Sequence, residues 1–372
     1  MSTPIILISL FIFSIVCTLF IMPKIIGVVT YKRLMDNPNE RSSHAIQTPS
    51  LGGIAFFIVY TLGILFLQNL DTDNASVSIL VSIIVLFIIG LKDDLVVLSP
   101  ITKLLTEVFV VGIILSNQHF EFTELHGFLG IERIPLGVSI FLSGFIMIAI
   151  INAYNLIDGI DGLAGIIGVI SFSVFGLLFF LLDLHFYLGI SLLGIGTLCA
   201  FLRFNLSHKQ KIFMGDTGSL VIGFLISVLT VRLFSVEHIL LKKLPFQLEN
   251  LPILVLAILI VPFFDTARVF TIRILKRKTP FAPDRNHIHH LMIDYLKLSH
   301  KKASITLGIF NVLFIIVFLF LCANFDNAIT LGSLLVLIIG LVYFFFRINF
   351  SYKNIRRRIK LRKRFSRTSI LF

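Results

Sequence analysis

Long apolar runs follow one another from end to end of the chain, and no other feature limits its possible folds as tightly. They lie near residues 4–23, 51–68, 77–91, 101–116, 137–154, 162–182, 186–202, 217–233, 251–272, 303–324 and 330–346, each bounded by polar or charged breaks. A bilayer core is crossed by about 20 apolar residues in a helix. The runs are continuous rather than alternating, so helices, not a closed barrel, satisfy the backbone in lipid. An all-α polytopic membrane helix bundle of about eleven transmembrane helices is expected. Composition agrees, since 57% of the 372 residues are hydrophobic and 14% charged, against about 25% charged in soluble domains. A water-soluble enzyme is excluded. Cys17, Cys199 and Cys322 stand singly in apolar stretches, which supports neither a disulfide framework nor a cysteine zinc site. The first run has no basic n-region and no small-residue cleavage site, so it reads as a retained span.

The net charge of +12 is unevenly spread. With the loops numbered alternately, one set holds Lys24, Lys32, Arg33, Arg41, Lys92, Arg203, Lys209, Lys211, Arg273, Arg285, Lys301 and Lys302. The other offers Arg133, Lys242 and Lys243, with Arg232 at a span end. Cytoplasmic loops carry the excess of Lys and Arg, so the N-terminus is expected outside and the C-terminus in the cytoplasm. Beyond Asp326 there is no acid, yet ten Lys or Arg fall between Arg347 and Arg367. Such a tail directly after a span is read as a partner of anionic membrane lipid, not of nucleic acid. The domain reading is one transmembrane catalytic domain over 1–346 and a basic cytoplasmic tail over 347–372. The opposite loops at 117–136 and 234–250 show no obvious chemical constellation, and no internal repeat is visible.

Polar motifs collect on the basic side in five places: Asn37 to Gly53, Leu91 to Leu95, Asn152 to Ala164, Phe213 to Ser219 and Pro283 to His290. Ionisable groups at membrane helix ends are costly unless they face a polar cavity, so the five segments are expected to share one water-accessible site. Carboxylates and amides beside His, Lys and Arg suit a hard divalent cation holding a polyanion, which favours Mg²⁺ over zinc. Asp93 and Asp94 point about 100° apart on a helix; one is expected to act on substrate, the other to orient a lysine or the metal's water. Asn152, Asn155, Asp158 and Asp161 drift about 60° per step, and Gly159 with Gly162 marks a helix that stops and restarts. Asp216 is either the N-cap of the next helix or a ligand, and Gly215 and Gly218 let backbone N–H groups approach a bound oxygen. Phe213 is either a stacking platform for a base or interfacial packing. His287, His289 and His290 beside Arg285 suit a phosphate grip, with Arg41 and His44 as a smaller basic cluster. Lys103 follows Asp94 by about two and a half helical turns and is expected in the same region.

Taken in order, the D-D, N-x-x-N-x-x-D-G-x-D-G, F-M-G-D-x-G-S and H-I-H-H elements resemble the polyprenyl-phosphate N-acetylhexosamine-1-phosphate transferase family, from about Asn37 to His300. The H-I-H-H form is similar to the branch that starts O-antigen, enterobacterial common antigen or teichoic acid synthesis. The phospho-MurNAc-pentapeptide branch usually shows a three-His run, which Ile288 interrupts here. The resemblance implies transfer of a HexNAc-1-phosphate, GlcNAc-1-phosphate first, from a UDP-sugar to undecaprenyl phosphate with release of UMP. It implies Mg²⁺, with Mn²⁺ as a substitute, held by Asp216 and Asn155. It makes Asp93 the base, with Asp94 beside it and His289 in the catalytic set. Asp161 and Phe213 would hold the uracil, Lys103 a phosphate, and Arg285, His287 and His290 the sugar or pyrophosphate. Asn152, Asp158, Asn205 and His44 complete the substrate set, and a homodimer is a further partner. A lipid phosphate is largely deprotonated at pH 7, its second pKa being near 6, so a base contributes modestly. Single displacement and double displacement through an aspartate both fit these residues. A bend near Pro262 is expected to open an apolar groove for the lipid. A secondary transporter of nucleotide-type anions is the reading from another class; it would place its groups near the midplane with internal symmetry.

Overall fold

A computed structural model describes residues 2–36, 48–277 and 287–368, so Arg41, His44 and Arg285 lie outside the described residues. The helices run in the order α1 (Thr3–Tyr31), α2 (Gly53–Leu67), α3 (Ser76–Leu95), α4 (Pro100–Leu115), α5 (Leu136–Ile157), α6 (Leu163–Leu181) and α7 (His185–Asn205). They continue with α8 (Gly215–Phe234), α9 (His238–Leu241), α10 (Leu251–Ile258), α11 (Ile260–Leu275), α12 (Ile288–Asp294), α13 (His300–Asn324) and α14 (Asn327–Thr368). Two-residue strands β1 (Met35–Asp36) and β2 (Thr48–Pro49) pair antiparallel, Met35 against Pro49.

Among the described residues, nine helices are long and apolar enough to cross a bilayer, and the bent α10–α11 pair makes a broken tenth. The run at 101–116 becomes α4, whose 16 residues span about 24 Å. The chain is an all-α, multi-pass membrane protein. The run at 251–272 is not straight: it bends by 71° at Leu259, three residues before Pro262. Pro262 lies in the first turn of α11, where a missing N–H costs no helical bond. The last helix, α14, passes from the final apolar run into the basic tail as one 42-residue helix.

At the centre stands α8, buried along its whole span and packed against α5, α3, α2 and α6. Around it, α6 packs on α7 and α7 on α1. The outer faces of α1, α13 and α14 expose Ile, Val, Leu and Phe, as a lipid boundary requires. Near the first turn of α8, glycine sets the spacing. A Cβ on Gly90 of α3 would lie 2.6 Å from Thr217 Cα, and one on Gly53 of α2 2.2 Å from Gly218 N. Bare backbone there lets α2 and α3 close onto the start of α8, which brings the end of α3 to the helix N-terminus. At the other end of α8, Arg232 meets Asp73 at 2.6 Å, and Tyr187 donates to the same carboxylate at 2.6 Å.

Candidate active site

The carboxylates of α3 sit at its last turn. Asp93 Oδ1 accepts the Leu98 N–H at 2.5 Å, which closes the exit of the helix. The chain then reverses at Ser99, whose hydroxyl accepts from Thr102 N–H at 3.1 Å and starts α4 at Pro100. That reversal, not the continuous helix assumed from spacing, returns Lys103 to Asp93. Lys103 pairs with Asp93 and lies 3.2 Å from Asp216 Oδ1, so one ammonium bridges two carboxylates.

Asp94 has another occupation. Its Oδ1 accepts the Asp216 N–H at 2.8 Å, and its Oδ2 the Thr217 N–H at 3.0 Å and the Thr217 hydroxyl at 2.5 Å. It therefore caps α8 from a neighbouring helix, where a negative charge favours the dipole. Both of its oxygens are thus engaged by the first turn of α8. Gly215 makes the arrangement feasible: its φ is +71°, and a Cβ would come within 2.1 Å of Ser50 O and 2.6 Å of Asp94 Oδ2. With that cap supplied, Asp216 is free of the capping role. Its side chain, 29% exposed, accepts from Asn155 Nδ2 at 2.6 Å. Asn155 also donates to Ser219 at 2.7 Å.

Between α5 and α6 the helix stops and restarts, with Gly162 at φ +84°. Asp158 lies in this break. Burial, then the negative charges of Asp216, Asp94 and Asp161, push it up to about 8 against a backbone N–H from Gly215. Burial would raise Asp161 too, but His300 and Lys211 hold it below the usual carboxylate range. Lys211 pairs with Asp161 at 2.7 Å and stands 5.1 Å over the Phe213 ring. Phe213 is half-buried, and its backbone is clamped by Pro49 and Gly52. Asn205, placed in the substrate set from sequence, is 4% exposed, accepts from Gly162 N–H at 2.6 Å and donates to Ile212 O at 2.9 Å. Asn152 donates to Glu107 of α4 and to Ile148 O.

The histidines are not an open loop. His287, His289 and His290 are 6%, 2% and 7% exposed at the start of α12. Asp265 of α11 holds this turn, taking His287 Nδ1 at 2.8 Å and the Ile288 N–H at 2.8 Å. His289 packs under the α5–α6 break, where a Cβ on Gly159 would meet its Nε2 at 2.6 Å. Neither of its ring nitrogens has a partner. Burial, then its neighbours His290, His287 and His300, outweigh Asp265 and lower His289 to about 3, so the ring is neutral.

Asp93, Asp94, Asp158 and Asp216 thus crowd one end of the bundle around Lys103. Oxygen donors in excess negative charge fit a hard divalent cation better than a soft one. Glu107, Lys211, Asp265 and His300 belong to the same neighbourhood and were not singled out from sequence. Lys211 could have been found, standing two residues before Phe213; the others carry no motif.

The fold is thus a polytopic bundle with a carboxylate centre, bridged by one lysine, at its helix ends. The model of glycosyl transferase family 4 matches residues 76–234, which include Asp93 through Asp216. The probable undecaprenyl-phosphate N-acetylglucosaminyl 1-phosphate transferase of Bacillus subtilis (strain 168) is 32% identical over 313 residues, 82% of either chain. The undecaprenyl-phosphate alpha-N-acetylglucosaminyl 1-phosphate transferase of Escherichia coli (strain K12) is 29% identical over 77% of this chain and 75% of its own. That of Haemophilus influenzae is 31% identical over 70% and 72%. The chain belongs to the polyprenyl-phosphate N-acetylhexosamine-1-phosphate transferase family. It is a sugar-1-phosphate transferase of the membrane.

Proposed function

We propose that this enzyme transfers GlcNAc-1-phosphate from UDP-GlcNAc to undecaprenyl phosphate at the cytoplasmic face of the inner membrane, releasing UMP, as the first membrane step of a cell-surface polysaccharide. The observation that carries the reading is the meeting of Asp93, Lys103, Asn155, Asp158 and Asp216 at one end of α3, α4, α5 and α8. An oxygen of the lipid phosphate attacks the phosphorus next to the sugar, and the bond from that phosphorus to the UMP oxygen breaks. Two anions must approach, so the barrier is largely electrostatic. Asp216 and the Asn155 amide oxygen would hold Mg²⁺, which supplies charge neutralisation for the diphosphate. Lys103 holds the lipid phosphate beside Asp93, which takes up whatever proton that phosphate retains. Lys211 and Phe213 face the nucleotide, and Asp161 keeps Lys211 in place. Asp94 and Asn205 hold the backbone that carries Asp216 and Phe213.

The test is direct. Purified protein with labelled UDP-GlcNAc, undecaprenyl phosphate and Mg²⁺ should yield a lipid-linked sugar diphosphate, identified by mass, and UMP in equal amount. UDP-MurNAc-pentapeptide should give none. Absence of product with every UDP-HexNAc, together with nucleotide uptake into liposomes, would overturn the reading.

A further inference from the structure

The loops at 117–136 and 234–250 show no obvious constellation in the sequence, yet the fold brings three possible ligands together there. Residues 116–135 join α4 to α5, and residues 235–250 lie between α8 and α10. The carboxylate centre lies at the opposite ends of α4, α5 and α8, so the two loops meet on the far face. There one ligand atom each from Glu124, His126 and His238 lies within 4.8 Å of the other two, the one such grouping among the described residues. We propose that these three residues form a binding site for a divalent transition metal of the Zn²⁺ class that ties the two loops together.

The geometry is close to what such an ion imposes. His126 Nδ1 and His238 Nδ1 are 3.2 Å apart, and two nitrogens at about 2.05 Å from a tetrahedral zinc stand about 3.3 Å from each other. Glu124 Oε2 is 3.8 Å from His126 Nδ1, slightly wider than that tetrahedron. The other Glu124 oxygen pairs with Arg133 at 3.3 Å, and a backbone bridge between the same two residues fixes the loop. The His126 side chain is 2% exposed, and its Nε2 is buried without a partner. His238 is exposed, which leaves a path for the ion and room for water as a fourth ligand. Two imidazoles and one carboxylate select zinc-class ions over Mg²⁺ or Ca²⁺. Glu132 and Glu249 stand near Gly127 and add negative potential around the site.

An N–H···N bond between the rings would give the same 3.2 Å separation, and experiment separates the two. Full-length protein in detergent, stripped with chelator and held in excess Mg²⁺, is titrated with Co²⁺ and then Zn²⁺. A single equivalent per chain with the strong visible absorption of tetrahedral Co²⁺, displaced by Zn²⁺, is expected. His238→Ala, at an exposed position, should melt as wild type without metal. It should bind more than about 100-fold more weakly, beyond the 10–100-fold that loss of an outer partner costs; Glu124→Gln should also weaken uptake. No stoichiometric uptake, an octahedral spectrum, or uptake unchanged in both variants would overturn the site.

Discussion

Asp93 and Asp94 share a helix turn but engage different partners. Asp93 faces Lys103 and Asp216, whereas Asp94 spends both oxygens on the first turn of α8. Asp216→Asn should therefore lower kcat by about 10²–10³, the scale for losing one electrostatic contact to a transition state, with the melting temperature unchanged. Asp94→Ala should destabilise the protein by about 1.5–3 kcal/mol, the range for hydrogen bonds to a charged group, read by denaturant melting. A wild-type melting curve for Asp94→Ala would return that residue to the reacting groups. His289 gives the pH dependence. Its value near 3, against about 6.5 for a free histidine, means that only the unfolded chain takes up this proton between those values, so stability is full above about 6.5 and falls as pH drops toward 3. Denaturant melting from pH 7 to pH 4 measures that loss, and His289→Gln should flatten it. An unchanged pH dependence in His289→Gln would mean that another group sets it.

At the scale of elements, the contact of α3 with α8 carries the site. Gly90→Ala forces a Cβ to 2.6 Å from Thr217 Cα, an overpacking worth about 1–3 kcal/mol, and should depress kcat/KM by moving Asp93. Gly112→Ala on α4 meets nothing within 4 Å and should be neutral or gain up to about 1 kcal/mol of helix propensity. Equal effects from the two would argue against close packing as the cause. The contrast shows what sequence carries. Helix positions were legible because each apolar run must become a helix in lipid, and Gly159 and Gly162 announced the α5–α6 break. Pro262 announced the bend that the structure places three residues earlier, at Leu259. Asn152 looked like a ligand because its partner Glu107 lies 45 positions away; likewise, nothing local pairs His126 with His238, 112 positions apart. Periodicity reports which face is buried, not which distant residue will share it.

Across the whole molecule, the two ends of the bundle differ in chemistry, and this predicts a fixed orientation. The carboxylate centre lies at the end that carries Lys92, Arg203, Lys209 and Lys211, while the far end has Arg133, Lys242 and Lys243. Lys and Arg are retained on the cytoplasmic side, which is also where a nucleotide-sugar is available to a membrane enzyme. In a variant with Cys17, Cys199 and Cys322 replaced by Ala, Lys242→Cys should react with an impermeant maleimide in intact cells. Gln210→Cys should react only after the membrane is opened or inverted. Both positions are exposed, so burial does not protect either from the reagent. Labelling of Gln210→Cys in intact cells would put the site on the outer face and remove the proposed donor. The same pair of variants tests the metal site's surroundings, because Lys242 lies four residues beyond His238. If external chelator shifts the melting of the membrane-embedded protein in intact cells, the histidine site and the reactive Lys242→Cys share the outer face, and the catalytic end lies inside.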